Sequence, residues 1–365
     1  MRHTLFLMIL LLSLSCTSRS QAKRDSIIDT LSDSLSDSIF PTDTLRLLFV
    51  GDLMQHQGQI NAARTSTGYD YSTCFAYVKE EIKKADLSIA NLEVTLGGKP
   101  YKGYPAFSAP DEFLTAIHDA GFNVLVTANN HSLDRGKSGL ERTIQLIDSL
   151  KVPHAGTYIN ADEREKKYPL LLEKNGFRIA LLNYTYGTNG IPVTPPNIVN
   201  YIDTAIIVKD IEESKAMKPD AIIACMHWGI EYQSLPDKEQ KFLTDWLLRK
   251  GVNHIIGCHP HVVQPIEIRK DSLTNGKHLV VYSLGNYISN MSARRTDGGL
   301  MVKMELVKDS TTRLNHCEYS LVWTARPVQS GKKNHQLLPI NFPTDSISVN
   351  ARNSLRIFAN DARSL

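Results

Sequence analysis

Six short apolar runs in this chain each lead into residues able to bind a metal ion or move a proton. Val50 runs into Gly51-Asp52, Leu87–Ala90 into Asn91-Leu92-Glu93, and Val124–Ala128 into Asn129-Asn130-His131. Further on, Ile222–Met226 runs into His227-Trp228-Gly229, Ile255–Cys258 into His259-Pro260-His261, and Val280–Leu284 into Gly285-Asn286. Carboxylates, an amide oxygen and imidazoles are the ligand set for borderline divalent cations such as Zn, Mn or Fe. A carboxylate can bridge two cations that repel at the roughly 3.5–4 Å typical of dinuclear sites, and such a pair lowers the pKa of a shared water.

Taken singly, each element has an ordinary reading. Asp52 after Gly51 suits a strand-end turn, Glu93 a solvated surface, and His227 a core position satisfied by backbone. Asn130 could cap a helix with His131 packed beside it. The pair His259/His261 says more, because alternate side chains of an extended segment share one face. Six such elements together make coincidence the weaker account. The expectation is that Asp52, Glu93, Asn130, His227, His259 and His261 converge on one or two divalent cations.

The elements that must position them alternate as in an α/β domain. Strands are expected over Leu45–Val50, Leu87–Ala90, Asn123–Ala128, Tyr168–Glu173, Phe177–Tyr184, Ala221–Met226 and Ile255–Cys258. Helices are expected over Tyr71–Lys84, Asp111–Ala120, Ser138–Leu150, Thr204–Met217 and Asp237–Lys250. The remainder reads as strand-rich, through Gln264–Ile268, His278–Ser283, Leu300–Leu306 and Cys317–Val322. Functional groups in open α/β sheets collect beyond the carboxyl ends of the strands, where these ligand types recur.

With 365 residues, 42% of them hydrophobic, the chain can bury one large core. Its 41 basic and 38 acidic residues nearly balance, which argues against a nucleic-acid binder that works by counterion release. Arg2 and His3 precede an apolar stretch, Leu5–Leu12, and then Cys16. That layout is a secretory signal, too short to span a bilayer. A cysteine there resembles a bacterial lipoprotein site and implies a protein lipid-anchored to the cell envelope at Cys16, although Ser13 stands where that pattern prefers leucine. The alternative is cleavage to a soluble secreted or periplasmic protein. Residues 17–43, rich in Ser and Asp, read as a flexible tether. Residues 44–330 form the expected domain and 331–365 a C-terminal extension. Cys74, Cys225, Cys258 and Cys317 lack the close spacing of a disulfide framework.

In order, Gly51-Asp52-Leu53-Met54, Asn91-Leu92-Glu93, Asn129-Asn130-His131 with Asp134 and Gly136, His227-Trp228-Gly229 with Glu231, Gly257-Cys258-His259-Pro260-His261 and Tyr282-Ser283-Leu284-Gly285-Asn286 resemble the CapA family. That family is named for poly-γ-glutamate capsule synthesis and belongs to the calcineurin-like metallophosphoesterases. The resemblance covers roughly residues 45 to 290 and implies a four-layer α/β/β/α sandwich with metals where the two sheets end. It implies Asp52 as a first-metal carboxylate, Glu93 as the bridge, and Asn130, His227 and His259 on the second metal. His261 would join the first metal, His131 would act as the acid beside the leaving group, and Asp134 would orient His131.

Two positions depart from the superfamily pattern. Its first motif is Asp-x-His, whereas Met54 stands here at the third position, leaving His56 as the imidazole that could replace it. The bridging residue is Glu where Asp is usual. Trp228, Glu231 and Asn286 are further candidates for metal or substrate contact, and Lys102, Arg135, Arg294 and Arg295 for holding an anionic polymer. The resemblance implies a metal-dependent hydrolase-like protein of capsule or other cell-surface polymer synthesis or processing, acting on a phosphoester or, with the same Lewis acid, an amide. The alternative is a non-catalytic, polymer-binding accessory of membrane synthesis or export proteins, with a structural metal site.

Overall fold

The computed structural model describes residues 43–271 and 276–365. The signal segment, Cys16 and residues 17–42 of the expected tether lie outside the described residues. Strands β1 (Asp43–Leu53), β2 (Leu87–Leu92), β3 (Val124–Val126) and β4 (His154–Ala155) come first, followed by the short β5 (Thr157–Tyr158). Then come β6 (Leu170–Lys174), β7 (Phe177–Thr185), the short β8 (Ile198–Val199), β9 (Ala221–His227) and β10 (His254–Cys258). The last are β11 (Ile266–Lys270), β12 (Lys277–Val281), β13 (Asn286–Ile288), β14 (Gly298–Lys308), β15 (Thr312–Ala325) and β16 (Gln336–Pro339).

One sheet runs β16-β15-β14-β1-β2-β3-β4, with β13 also pairing β1, and the other runs β11-β12-β10-β9-β7-β6. β2, β3, β9 and β10 are buried along their whole length, as parallel strands covered on both sides must be. In β1, Leu45, Leu47 and Phe49 enter the core between the sheets, where they meet Ile179, Leu181, Ile223 and Cys225 of the other sheet. Leu48 and Val50, pointing the opposite way, pack with Phe113 and Ile117 of the helix Asp111–Ala120 and Ile147 of the helix Gly136–Ser149. On the second sheet, Ala180, Leu182, Ile222 and Ala224 face Ile207 and Ile211 of the helix Thr204–Ala216 and Leu243 and Leu247 of the helix Lys238–Lys250. Three apolar interfaces between successive layers make the expected four-layer sandwich.

β1, β2 and β3 are parallel neighbours, as are β7, β9, β10 and β12. Their carboxyl ends therefore share an edge within each sheet, and the polar residues after each strand are neighbours there. Gly51 allows a further approach. A Cβ at that position would lie 1.9 Å from the Gly285 carbonyl oxygen. Without one, the Asp52 amide donates to that oxygen at 3.2 Å and Asn286 comes into register beside Asp52.

Two expectations need correction. The helix expected over Tyr71–Lys84 is confined to Lys79–Ile82, although Tyr71, Cys74, Phe75, Val78 and Ile82 are all buried as a helical stripe would be. The carbonyls that would close its first turns are taken elsewhere. Asn334 Nδ2 donates to the Asp70 carbonyl at 2.7 Å, and the Leu337 amide donates to the Cys74 carbonyl at 2.9 Å. Residues 331–365, expected as an extension, instead complete the domain. β16 pairs along β15, and the helix Val349–Arg363 buries Ala351, Leu355, Phe358 and Ala359 in the core between the sheets. Asp361 of that helix also holds Arg294 through two hydrogen bonds of 2.7 Å.

One buried histidine ties stability to pH. His254 accepts a hydrogen bond from the Leu279 amide at Nδ1 (3.0 Å). Burial, with the like charge of His278 second, pushes its pKa from 6.5 to about 3. Below pH 6.5 the unfolded chain binds a proton that the folded chain refuses, so stability falls as the pH drops toward 3. Between pH 7 and 5 this group alone is expected to cost up to about 2 kcal/mol. Denaturant titrations at the two pH values should show that loss in the wild type and a smaller one in His254→Asn.

Candidate metal centre

Asp52 and Glu93 lie at the ends of adjacent strands, wholly buried. Asn91 and Glu93 project from the same side of their chain, two residues apart. The Asn91 side chain is the joint of the site. Its Nδ2 lies 2.8 Å from Asp52 Oδ1, 3.4 Å from Glu93 Oε2 and 3.3 Å from His227 Nδ1. Asn129 Nδ2 in turn donates to Asn91 Oδ1 at 3.2 Å and to the Leu92 carbonyl at 2.8 Å, which sets the orientation of the Asn91 amide.

The donors fall into two groups. Glu93, His227 and His259 form one; Asp52, Glu93 and His261 form the other, with ligand atoms within 4.8 Å of one another in each. Glu93 belongs to both. Asn130 joins the first group, its Oδ1 lying 2.9 Å from His227 Nε2, while His227 Nε2 lies 3.7 Å from Glu93 Oε1. In the second group, His261 Nδ1 is 3.3 Å from Asp52 Oδ2. Ligands held about 2.0–2.2 Å from one cation stand roughly 3–4 Å from each other, so these spacings fit. Asp52 Oδ2, Glu93 Oε1 and His259 Nδ1 are buried without a hydrogen-bond partner. Such atoms are costly to bury unless something binds them.

Charge tells the same story. Burial, then the neighbouring Asp52 carboxylate, raises the Glu93 pKa well above the ordinary range. Burial would raise Asp52 too, but the His261 imidazole facing it at 3.3 Å outweighs burial and holds that carboxyl low. Burial, followed by His259, pushes His227 well below its ordinary value, and burial followed by His261 lowers His259 to about 3. His261 rises instead, since its bond to Asp52 outweighs burial. The two imidazoles kept neutral are what a divalent cation needs from its ligands, and Glu93 would give up its proton as a cation binds.

The segment that carries His259 and His261 is not extended, so the two rings do not share a face as expected. β10 ends at Cys258, and His259 and His261 take left-handed backbone with φ of 101° and 59°. The bend sends His259 to one donor group and His261 to the other, and Glu93 stands between. Beside them, His131 Nδ1 is 2.7 Å from Asp134 Oδ2, an oxygen that also accepts the Phe107 amide at 2.8 Å.

Other candidates fall in different places. Trp228 is a core residue, 2% exposed, whose Nε1 donates to the Tyr282 carbonyl at 3.0 Å beneath the site. His56 belongs to neither donor group; its Nδ1 is 3.3 Å from both Gln59 Oε1 and the Asn290 amide, and its ring packs on Phe107. Asn286 orients rather than binds, its Oδ1 lying 3.0 Å from His261 Nδ1 and its Nδ2 donating to the Thr296 carbonyl. Glu231 stands at the rim, 3.9 Å from His261 Nε2. Arg294 and Arg295 are committed to Asp361, and Arg135 donates to the Pro100 carbonyl. Sequence reasoning passed over Tyr186, whose ring centroid is 4.4 Å from that of His259, and Asn91, which the alternation with Glu93 could have exposed.

A family model described as "Bacterial capsule synthesis protein PGA_cap" matches residues 46–291. The chain belongs to this family. Similar proteins include the capsule biosynthesis protein CapA of Bacillus anthracis, 28% identical over 284 residues that cover 74% of this chain and 66% of that protein. The PGA biosynthesis protein CapA of Bacillus subtilis (strain 168) is 28% identical over 281 residues, covering 75% of this chain and 71% of that one. This PGA_cap chain thus spans about two thirds of the Bacillus anthracis relative's length. Among solved structures, the Haemophilus influenzae NAD nucleotidase superposes with a TM-score of 0.49 at 12% identity, covering 87% of this chain and 63% of that one. The calcineurin-like phosphoesterase YfkN from Bacillus subtilis gives 0.46 at 14% identity, covering 89% and 99%.

The PGA_cap site has a testable cost. Without a cation, Asp52 and Glu93 oppose each other in a dry site, so Glu93→Gln should melt higher than the wild type after chelation. Adding Mn or Zn at a hundred times its dissociation constant should stabilise the wild type by about 2.7 kcal/mol, and Glu93→Gln far less. Thermal melts with and without metal, beside elemental analysis, read both effects; equal metal response in the two proteins would remove Glu93 from the site.

Proposed function

We propose that this protein is a metal-dependent phosphoester hydrolase of the cell envelope, acting in the synthesis or processing of a capsule or other surface polymer. The observation that carries this reading is the sharing of Glu93 by two donor groups, with the His131–Asp134 pair alongside. Asp52, Glu93 and His261 would hold one cation, and Glu93, Asn130, His227 and His259 the other. When bound, divalent cations supply a nucleophilic hydroxide near neutral pH and neutralise charge on a phosphoryl oxygen.

The chain's own residues supply the rest. Asp134 accepts from His131 Nδ1, so the imidazole presents Nε2 outward in a fixed orientation, and the carboxylate stabilises the ring when it carries a second proton. That proton can pass from Nε2 to the leaving oxygen of an ester. The His131 amide donates to Asn129 Oδ1 at 3.1 Å, and Phe107 packs edge-on at 4.6 Å between centroids. Both contacts hold the ring against the site. Asn91 and Asn129 keep the carboxylates apart and aimed, with Asn286 doing the same for His261.

A second reading has one observation in its favour. The group around Asp52 contains a single imidazole, since Met54 replaces the expected histidine and His56 stays outside. A site so composed could serve an accessory that binds polymer beside membrane synthesis or export proteins, with its metal structural. His131→Ala separates the two readings. Metal content should be retained while turnover of a phosphodiester falls about 10²- to 10⁴-fold; a wild type that holds metal but turns over no phosphodiester, phosphomonoester or polyglutamate supports the accessory.

The envelope location is proposed to rest on lipid attachment at Cys16. Expressed with its full leader in a bacterial host, the wild type should take up radiolabelled palmitate and fractionate with membranes, and Cys16→Ser should do neither. Equal fractionation of the two would point to another mode of retention.

A further inference from the structure

The metal centre is bordered by aromatic side chains that its chemistry does not use. Tyr104, Tyr186 and Tyr232 are 72%, 48% and 53% exposed, although large aromatic rings ordinarily bury most of their surface. Single exposed hydrophobic residues need no explanation, but these three come from separate loops and each lies beside the candidate centre. Tyr186 lies 4.4 Å from the His259 ring, Tyr232 lies 6.1 Å from the His261 ring, and Tyr104 lies 6.3 Å from Phe107, itself 4.6 Å from His131. Each therefore adjoins a different part of the centre.

Their backbones are held. The Tyr186 amide donates to the His227 carbonyl at 3.0 Å, and the Tyr232 amide to the Pro260 carbonyl at 2.8 Å. Ahead of Tyr104, a Cβ on Gly103 would lie 2.3 Å from the Gln57 amide nitrogen, so only glycine lets that loop sit so close. Loops held this way give up little backbone freedom when a ligand covers them.

Charge at the rim selects among ligands. Glu231, 41% exposed, places a carboxylate 3.9 Å from His261 Nε2. Three of the four basic candidates are engaged, Arg294 by Asp361, Arg295 by Ser234 Oγ at 2.6 Å and Asp361 at 3.5 Å, and Arg135 by the Pro100 carbonyl at 3.1 Å, which leaves the exposed Lys102 as the single cation of the four to meet a phosphate at this rim. A carboxylate and phenols beside open ring faces suit a ligand that has hydroxyl donors on its edges and C–H groups on its faces. A sugar ring has both.

We propose that Tyr104, Tyr186, Tyr232 and Glu231 form a carbohydrate-binding rim, so that the substrate is a glycan whose phosphoester reaches the metal centre while its neutral sugar rings stack outside. The substrate class rests on the phosphoester reading above; the rim itself does not. Isothermal titration of the full-length, Mn-loaded protein with maltotetraose, chitotetraose and poly-γ-glutamate of similar mass tests it. At least one neutral oligosaccharide should bind, more tightly than poly-γ-glutamate. The double substitution Tyr104→Ala/Tyr232→Ala should weaken it at least tenfold with melting temperature and metal content unchanged, and Glu231→Gln severalfold. Tighter binding of poly-γ-glutamate, no binding of either oligosaccharide, or affinity unaffected by the tyrosine substitutions would each overturn the rim. Metal analysis of the same samples keeps the two readings apart: sugar binding without metal leaves the rim and removes the phosphoester centre, whereas metal without sugar binding does the reverse.

Discussion

Two carboxylates, Asp52 and Glu93, are buried side by side where water does not reach them. Two ionised carboxyls in a low-dielectric interior would repel by several kcal/mol, so Glu93 holds its proton unless something positive intervenes. The surroundings supply part of the answer. Asn91 offers its amide hydrogens to the pair, His261 faces Asp52, and His227 faces Glu93. They do not supply all of it, since one oxygen of each carboxylate still has no hydrogen-bond partner. A fold retains such an arrangement against its own stability only when function uses it.

The architecture exists to hold that pair and its imidazoles still. Two sheets, each covered by helices outside and by the other sheet inside, give strands whose ends cannot drift independently. Close approaches lock the ends together. Gly51 admits the Gly285 carbonyl, and Gly257 admits the Tyr282 carbonyl and the edge of Trp228; a Cβ at Gly257 would lie 2.0 Å from the first. Trp228 is thus wedged between Gly257 and the Tyr282 carbonyl, directly after His227 in the chain. The C-terminal helix contributes at a distance. Asp361 ties down Arg294 and Arg295 in the loop that follows Asn286, and Arg295 reaches Ser234 in the loop of Glu231 and Tyr232.

The substitution of Met54 for a histidine and of Glu93 for an aspartate read together. Met54 is buried among apolar neighbours, so the space of an imidazole is filled by core. The longer glutamate reaches both donor groups from the end of β2.

Much of this was determined by the residues alone. Apolar runs that bury both faces must become covered strands, and polar groups just past them must gather at a sheet edge; that pattern alone brings Asp52, Glu93, Asn130, His227, His259 and His261 to one end of the strands. The pairing of His131 with Asp134 is what the family resemblance implies, and the two stand 2.7 Å apart. Tertiary structure alone decided what depends on contacts between distant segments. It made turns of Tyr71–Tyr77, because Asn334 and Leu337 take the carbonyls a helix would use. The C-terminal residues joined the core because Phe358 and Leu355 found space between the sheets. His259 and His261 parted to opposite sides of Glu93 through left-handed backbone that no alternation rule reports. Local pattern fixes which groups reach an edge; only packing fixes which way each one turns.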